Sequence, residues 1–216
     1  MPRPLTERSR QRAEANASQP SSARRDEIAG MACRVFAERG FQNTTMRDLA
    51  DEIGIKAGSL YHHFSSKDEI LAEALRRFFD DVVRDLREVA DRPDDVSRVI
   101  HDLFALAFRY VVERRDEALI VQNDFPYLQH IPSFRFVVNG SAEVEAIWER
   151  VLARGVSDGR LRADLDLPTV YRTIMGAMFS SVRWYEPSGR LPIEELVRQQ
   201  TAMYLDGLAA TDPVKR

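Results

Sequence analysis

The chain has 216 residues, of which 44% are hydrophobic and 30% charged, with a formal net charge of −3. These values suit a globular chain of one domain or two small ones, and exclude collagen-like and fully disordered classes. Cys33 is the single cysteine, so neither a disulfide framework nor a cysteine metal cluster is expected, and no apolar run reaches the length of a membrane span.

Charge is unevenly spread. Residues 1–67 hold eleven Lys/Arg against eight Asp/Glu, and the remainder holds twenty against twenty-six. A basic excess at one end is what a nucleic-acid contact requires, even in a chain that is acidic as a whole. The N-terminal stretch MPRPLTERSRQRAEANASQPSSARR lacks the apolar core of a signal peptide, so a cytoplasmic location is expected.

In chain order, residues 1–22 read as a disordered basic tail. Arg3, Arg8, Arg10 and Arg12 either follow a minor groove, as basic arms do, or make no contact. From Ser22 to Gly40, Ile28, Met31, Ala32, Val35 and Phe36 recur at helical spacing. Thr45 stands three before Asp48, an N-cap signature, and opens a helix to Ile53 that Gly54 ends. Ala57 to Phe64 is a second short helix with Leu60 and Phe64 one turn apart. Ser66 opens a third, whose stripe of Ile70, Leu71, Leu75, Phe78, Val82 and Leu86 persists to about Ala90. Helices then follow over Val96–Arg114, Glu117–Asn123, Phe134–Val156, Pro168–Tyr185 and Pro192–Ala210, with FPYLQHIPSF (residues 125–134) read as a Pro-punctuated loop. The expected fold is all-α, with eight or nine helices.

Two short helices around the turn Gly54–Lys56 have the lengths and apolar spacing of a helix-turn-helix. The second helix of such a unit enters the major groove with its N-terminal residues toward base edges. With Leu60 and Phe64 inward, Ser59, His62 and His63 point away from the core. Tyr61 lies at the side within reach of a phosphate, small Ala57 and Gly58 allow close approach, and Lys67 adds charge at the next helix start. His62 and His63 make a poor metal pair, because adjacent helical residues diverge by about 100°. No metal and no cofactor are expected.

TTMRDLADEIGIKAGSLYHHFSSKDEIL, preceded by AxxVFAERGF, resembles the DNA-binding segment of the TetR/AcrR family of bacterial transcriptional regulators. The resemblance implies phosphate contacts for Thr45, Tyr61 and Lys67, and base or near-base contacts for Arg47, Lys56, Ala57, Gly58, Ser59 and His62. It also implies a homodimer on double-stranded DNA, with a tail over residues 1–22, a DNA-binding domain over 23–68 and a ligand-binding and dimerisation domain over 69–212. No catalytic residues and no enzyme activity are implied.

The rest of the chain offers its own features. Gly176, Ala177, Ser180 and Ser181 are small residues that let another helix approach closely, in a dimer or within the chain, and Leu196, Val197, Met203, Tyr204 and Leu208 line the last helix. Phe104, Phe108, Tyr127, Phe134, Phe136, Trp148, Phe179 and Trp184 carry aromatic mass for a core or a ligand pocket. Arg183, on an otherwise apolar helix, needs an anionic partner: an internal ion pair with Asp124 or Glu145, or a ligand's carboxylate, phosphate or thioester oxygen. The endings VYRxI and SVRWYxPxG are similar to actinobacterial regulators of lipid and steroid-ring catabolism, which implies a small-molecule effector of the coenzyme A thioester kind. A rival reading comes from Gly155-Val156-Ser157-Asp158-Gly159, which fits the G-x-S-x-G elbow of hydrolases. That elbow follows a strand, whereas a helix precedes this one. A helical ligand-binding scaffold without DNA binding is a further alternative.

Overall fold

In the computed structural model, which describes residues 21–209, each segment with a sustained 3.6-residue apolar period is helical. The expected tail lies almost wholly outside these residues, as does Ala210. Nine α-helices and one 3₁₀ turn are present among the described residues, and the chain divides into two compact units between Ala74 and Leu75.

The first unit contains α1 (Ser21–Arg39), α2 (Met46–Ile53), α3 (Ala57–His63) and the opening turns of α4 (Lys67–Ala90). Ile28, Phe36, Phe41, Leu49, Leu60 and Ile70 form its core, each no more than 1% exposed. Local signals set the helix ends. The Thr45 Oγ1 accepts from the Asp48 N–H at 3.2 Å, and the Asp48 carboxylate accepts from the Thr45 N–H at 2.8 Å, a reciprocal cap on α2. Gly54, at φ 75°, closes the helix in the left-handed region, where a side chain would be strained. Phe64 then turns extended and buries its ring, which stops α3 after two turns.

In the second unit α5 (Val96–Glu113) buries a broad apolar face through Val99, Ile100, Leu103, Phe104, Phe108 and Val111, and leaves Arg98, His101, Arg109 and Glu113 exposed on the other. An apolar face of this width takes several packing partners. α6 (Arg115–Leu128), α7 (Arg135–Ser157), α8 (Leu167–Trp184) and α9 (Ile193–Leu208) all pack against it. Asp95 and Asp166 cap α5 and α8 through the N–H groups of Ser97 and Thr169.

The segment read as a loop from Phe125 is a correction. α6 continues through Pro126 to Leu128, and the chain bends only at Gln129–Ile131 before the 3₁₀ turn Pro132–Phe134. Proline removes one backbone donor, and here the helix ends two residues later, so fully buried Leu128 and Ile120 hold the turn. Ser157 is the last residue of α7, and Gly159 follows at φ 66°. The G-x-S-x-G residues therefore form a helix terminus and turn, with no strand before them. Gly155 is there because Leu161 packs on it, 2.8 Å from where a Cβ would stand.

Gly140 on α7 has a similar reason. A Cβ there would meet Phe79 Cδ1 at 2.5 Å and Cγ at 2.8 Å, so α7 reaches α4 only because residue 140 has no side chain. Gly140→Ala is expected to destabilise the protein by about 1–3 kcal/mol, as overpacking does, read as a lower urea midpoint with unchanged slope.

Candidate DNA-binding surface and effector cavity

α3 buries Leu60 and leaves Ala57, Gly58, Ser59, Tyr61 and His62 exposed, with Lys56 at its N-cap. Tyr61 is 56% exposed, with its hydroxyl free to reach beyond the unit. Gly58 has no neighbour within 4 Å of a notional Cβ and does not occupy the left-handed region. Nothing inside the protein requires a glycine there, and glycine weakens a helix. Thr45 and Arg47 flank this surface from the start of α2 and are exposed.

Two cations brace the elements on either side of α3. Lys67 Nζ donates to the carbonyl oxygens of Phe41 (2.8 Å), Gln42 (3.2 Å) and Thr44 (2.8 Å) and sits 4.6 Å above the Phe41 ring. An ammonium has three donors, and all three are used inside the unit. Lys67 thus braces the loop before α2. The Thr45 hydroxyl hydrogen is likewise committed, to Asp48 Oδ2 at 2.6 Å.

Arg25, which carried no signal in the sequence, is the second. From α1 it donates to the His63 carbonyl at the end of α3, to Glu69 (3.0 Å) and to Glu73 (2.5 Å), with its guanidinium 4.1 Å over the Phe64 ring. Bonds from the Ser65 hydroxyl and N–H, and then from Arg25, hold the Glu69 carboxyl below its ordinary 4.5.

The second unit encloses a cavity of about 250 Å³. Its wall is almost wholly apolar, built from Phe78, Phe79, Val82 and Leu86 on α4, Trp148 on α7, and Met175, Met178 and Phe179 on α8. Tyr110 of α5 closes one side and donates its hydroxyl to Asp85 on α4 at 2.7 Å. Burial, reinforced by Asp85, pushes the Tyr110 pKa well above 10, so the phenol stays a donor.

The first unit matches the family described as bacterial regulatory proteins, tetR family, over residues 28–74. The second matches the tetracyclin repressor-like C-terminal domain over residues 93–208. The chain belongs to the TetR family. Among its relatives, the HTH-type transcriptional repressor KstR2 of Mycolicibacterium smegmatis is 39% identical over 191 residues, 88% of this chain and 93% of that protein. KstR2 of Rhodococcus jostii is 34% identical over 189 residues, 88% and 93% of the two chains. The solved structure of the ketosteroid transcriptional regulator KstR2 of Mycobacterium tuberculosis superposes with a TM-score of 0.82 at 36% identity, over 87% of this chain and 96% of that one.

Of the TetR-type effector residues expected from the sequence, Trp148 and Phe179 line the cavity. Phe104 and Phe108 lie in the core instead: Phe104 is wedged edge-on to Trp148 and stacked on Tyr204 at 5.3 Å. Tyr127 and Trp184 are at the surface, 41% and 53% exposed. Phe134 is buried beside Phe136, whose ring lies under Arg76. Arg183 is exposed, and its partner is neither Asp124 nor Glu145 but Asn123, at 3.0 Å. The buried row of α8 is Ile174, Met178 and Val182, and one further residue turns Arg183 about 100° off it. On the last two helices Gly176, Ser180 and Met203 face outward, while Ser181, Leu196, Val197 and Leu208 pack inward. Sequence reasoning missed Val82, Gln122, Met175 and Tyr171, because a cavity wall of ordinary core residues has no signature of its own.

Lys67→Met is expected to lower stability by on the order of 1–3 kcal/mol, while the salt dependence of DNA binding keeps its slope. Loss of a true phosphate contact would reduce that slope by about 1. A second test concerns acid. Glu69 is depressed in the folded state, so its contribution is full above its ordinary 4.5 and is lost as pH falls through the lower folded value. Urea midpoints measured from pH 6 down to pH 3 should fall below about pH 4.5, and fall less steeply in Glu69→Gln.

Proposed function

We propose that this TetR-family protein is a ligand-responsive transcriptional repressor that binds a near-palindromic operator as a homodimer. Its effector is a coenzyme A thioester of a steroid-derived or lipid-derived acid. The observation that carries this reading is a single helix, α4. Its first turns are tied to α3 by Arg25, and its Phe78, Phe79, Val82 and Leu86 form one wall of the apolar cavity.

An effector filling the cavity acts on α4 directly and through the Tyr110–Asp85 bond. It releases DNA only to the degree that it favours a position of α4 unsuited to the operator. The reading agrees with relatives that are repressors, and with a KstR2 described as a ketosteroid regulator. The apolar wall suits a ring or acyl body, with the anionic carrier left toward solvent. Arg183 is the proposed contact for that carrier, since it lies one turn beyond Phe179 and donates to the neutral Asn123. Base reading is assigned to Arg47, Lys56, Ser59 and His62, with Ala57 and Gly58 against the backbone and Tyr61 on a phosphate. The exposed small residues Gly176 and Ser180, with Met203 and Trp184, suit a two-fold contact through α8 and α9. The setting is the cytoplasm, where the chromosome is.

The test is fluorescence anisotropy with duplexes from the protein's own upstream region, in the presence of free coenzyme A, free steroid acids and their thioesters. Binding should protect two half-sites about 34–36 Å apart, and only thioesters should release the DNA. Gly58→Ala should raise folding stability by about 0.5–1 kcal/mol and yet weaken operator binding. Indifference to every upstream duplex at low salt would favour a ligand-binding scaffold instead.

A further inference from the structure

Phe79 of α4 stands in the wall of the cavity with little freedom to leave it. Its ring is buried and meets the ring of Phe78 edge-on, at 5.5 Å between centres and 82°. Phe78 is itself held, edge-on to Tyr110 at 6.0 Å and with the Arg114 guanidinium 5.6 Å over its ring. Behind Phe79 lies the main chain of α7 at Gly140, which is not a wall residue. A Cβ at that position would stand 2.5 Å from Phe79 Cδ1, 2.8 Å from Cγ and 3.2 Å from Cβ. Carbon atoms in contact rest at about 3.5–4.0 Å. Gly140 is inside a helix and outside the left-handed region, so the backbone does not call for glycine there and the close approach does.

Protein interiors are close-packed, so a displaced ring moves toward whatever space is open. For Phe79 that space is the cavity, since main chain backs the ring and Phe78 flanks it. A side chain at residue 140 therefore drives the ring inward by about 1 Å or more before ordinary contact is restored. A dry apolar cavity of about 150 Å³ holds one benzene ring, and one of about 250 Å³ has room for a second ring fused to it. We propose that Gly140 is a specificity-determining position for the effector. The missing side chain lets Phe79 retract, and the retraction admits an apolar body wider than a single ring. Gly140 acts through Phe79 and touches no ligand, so it is a positioning residue. That this cavity is the effector site rests on the proposed function.

Calorimetric titration of the full-length protein with benzene and naphthalene reads the width of the cavity. Wild type should bind naphthalene at least about ten-fold more tightly than benzene. In Gly140→Ala that ratio should fall to about two-fold or less, whereas a merely structural loss would weaken both probes alike. Phe79→Leu removes the ring that the alanine meets, so the double variant should regain the wild-type ratio. The alanine should also lower the melting temperature less in the Phe79→Leu background than in wild type. Should Gly140→Ala not fold, Phe79→Leu with and without the alanine carries the comparison: equal ratios support the position, and a ratio lost only with the alanine overturns it. Wild-type binding of neither probe at its solubility limit, equal affinity for both, an unchanged ratio in Gly140→Ala, a ratio not regained in the double variant, or an alanine penalty on melting that is the same in both backgrounds would each overturn it too. The probes have no anionic end and the assay has no DNA. Failure here leaves release by thioesters standing, and failure of release leaves an observed dependence on residue 140 standing.

Discussion

The three bonds from Lys67 to the carbonyls of Phe41, Gln42 and Thr44 are the constraint on which the exposed surface of α2 and α3 depends. Those carbonyls lie in the short link between α1 and α2, which has no ladder of its own. Without an internal cation the link would have to be hydrated, and the start of α2 would be free to wander. Arg25 does for the end of α3 what Lys67 does for the start of α2, tying the His63 carbonyl to Glu69 and Glu73. A seven-residue helix cannot persist alone. Here it has both neighbours nailed down by charge-assisted bonds, and its exposed side chains can be chosen for recognition rather than for stability.

The second unit inverts that economy. Along the buried face of α5 the packing is apolar, but beside α4 it stops short and leaves an apolar space of about 250 Å³. Unfilled apolar volume destabilises a fold through lost contacts, so a cavity of this size beside a helix shared with the DNA-facing unit is a stored preference for an occupant. The ion pairs of Arg114 with Asp81 and Glu117, and the Tyr110–Asp85 bond, hold α4 to its neighbours around the space. They are partly exposed and individually weak, suited to a contact that must be remade.

Much of this was legible in the chain. The capping box at Thr45 and Asp48, the left-handed Gly54, the inward Leu60 and Phe64 and the outward Ser59 and His62 are local features, and local physics decides them. What was not legible lies in long-range pairing. Arg25 meets partners 38, 44 and 48 residues away, with nothing near it in sequence to show which carboxylates it will find. Arg183 was placed by its apolar chain neighbours, yet a single helical step carries it to the surface. The aromatic residues singled out for a ligand divided between wall and core: Phe104 and Trp148 pack edge-on against each other, and which of two touching rings reaches the wall is a property of the whole bundle. Pro126 misled in the other direction: near a helix end its missing donor matters little, and burial of Leu128 outweighs it.

Gly140 has one more implication. Phe79, a ring of the cavity wall, is backed by main chain at Gly140, one residue before Ser141 of the same wall, and has no room to shift toward α7. That flank is stiff. The α8 flank is lined by Met175 and Met178, whose unbranched thioethers repack at little expense. Tolerance toward guests of different outline should therefore be lopsided, generous along the sulfur-bearing side and strict beside the glycine, and drift in preference among descendants of this chain has one direction in which to go.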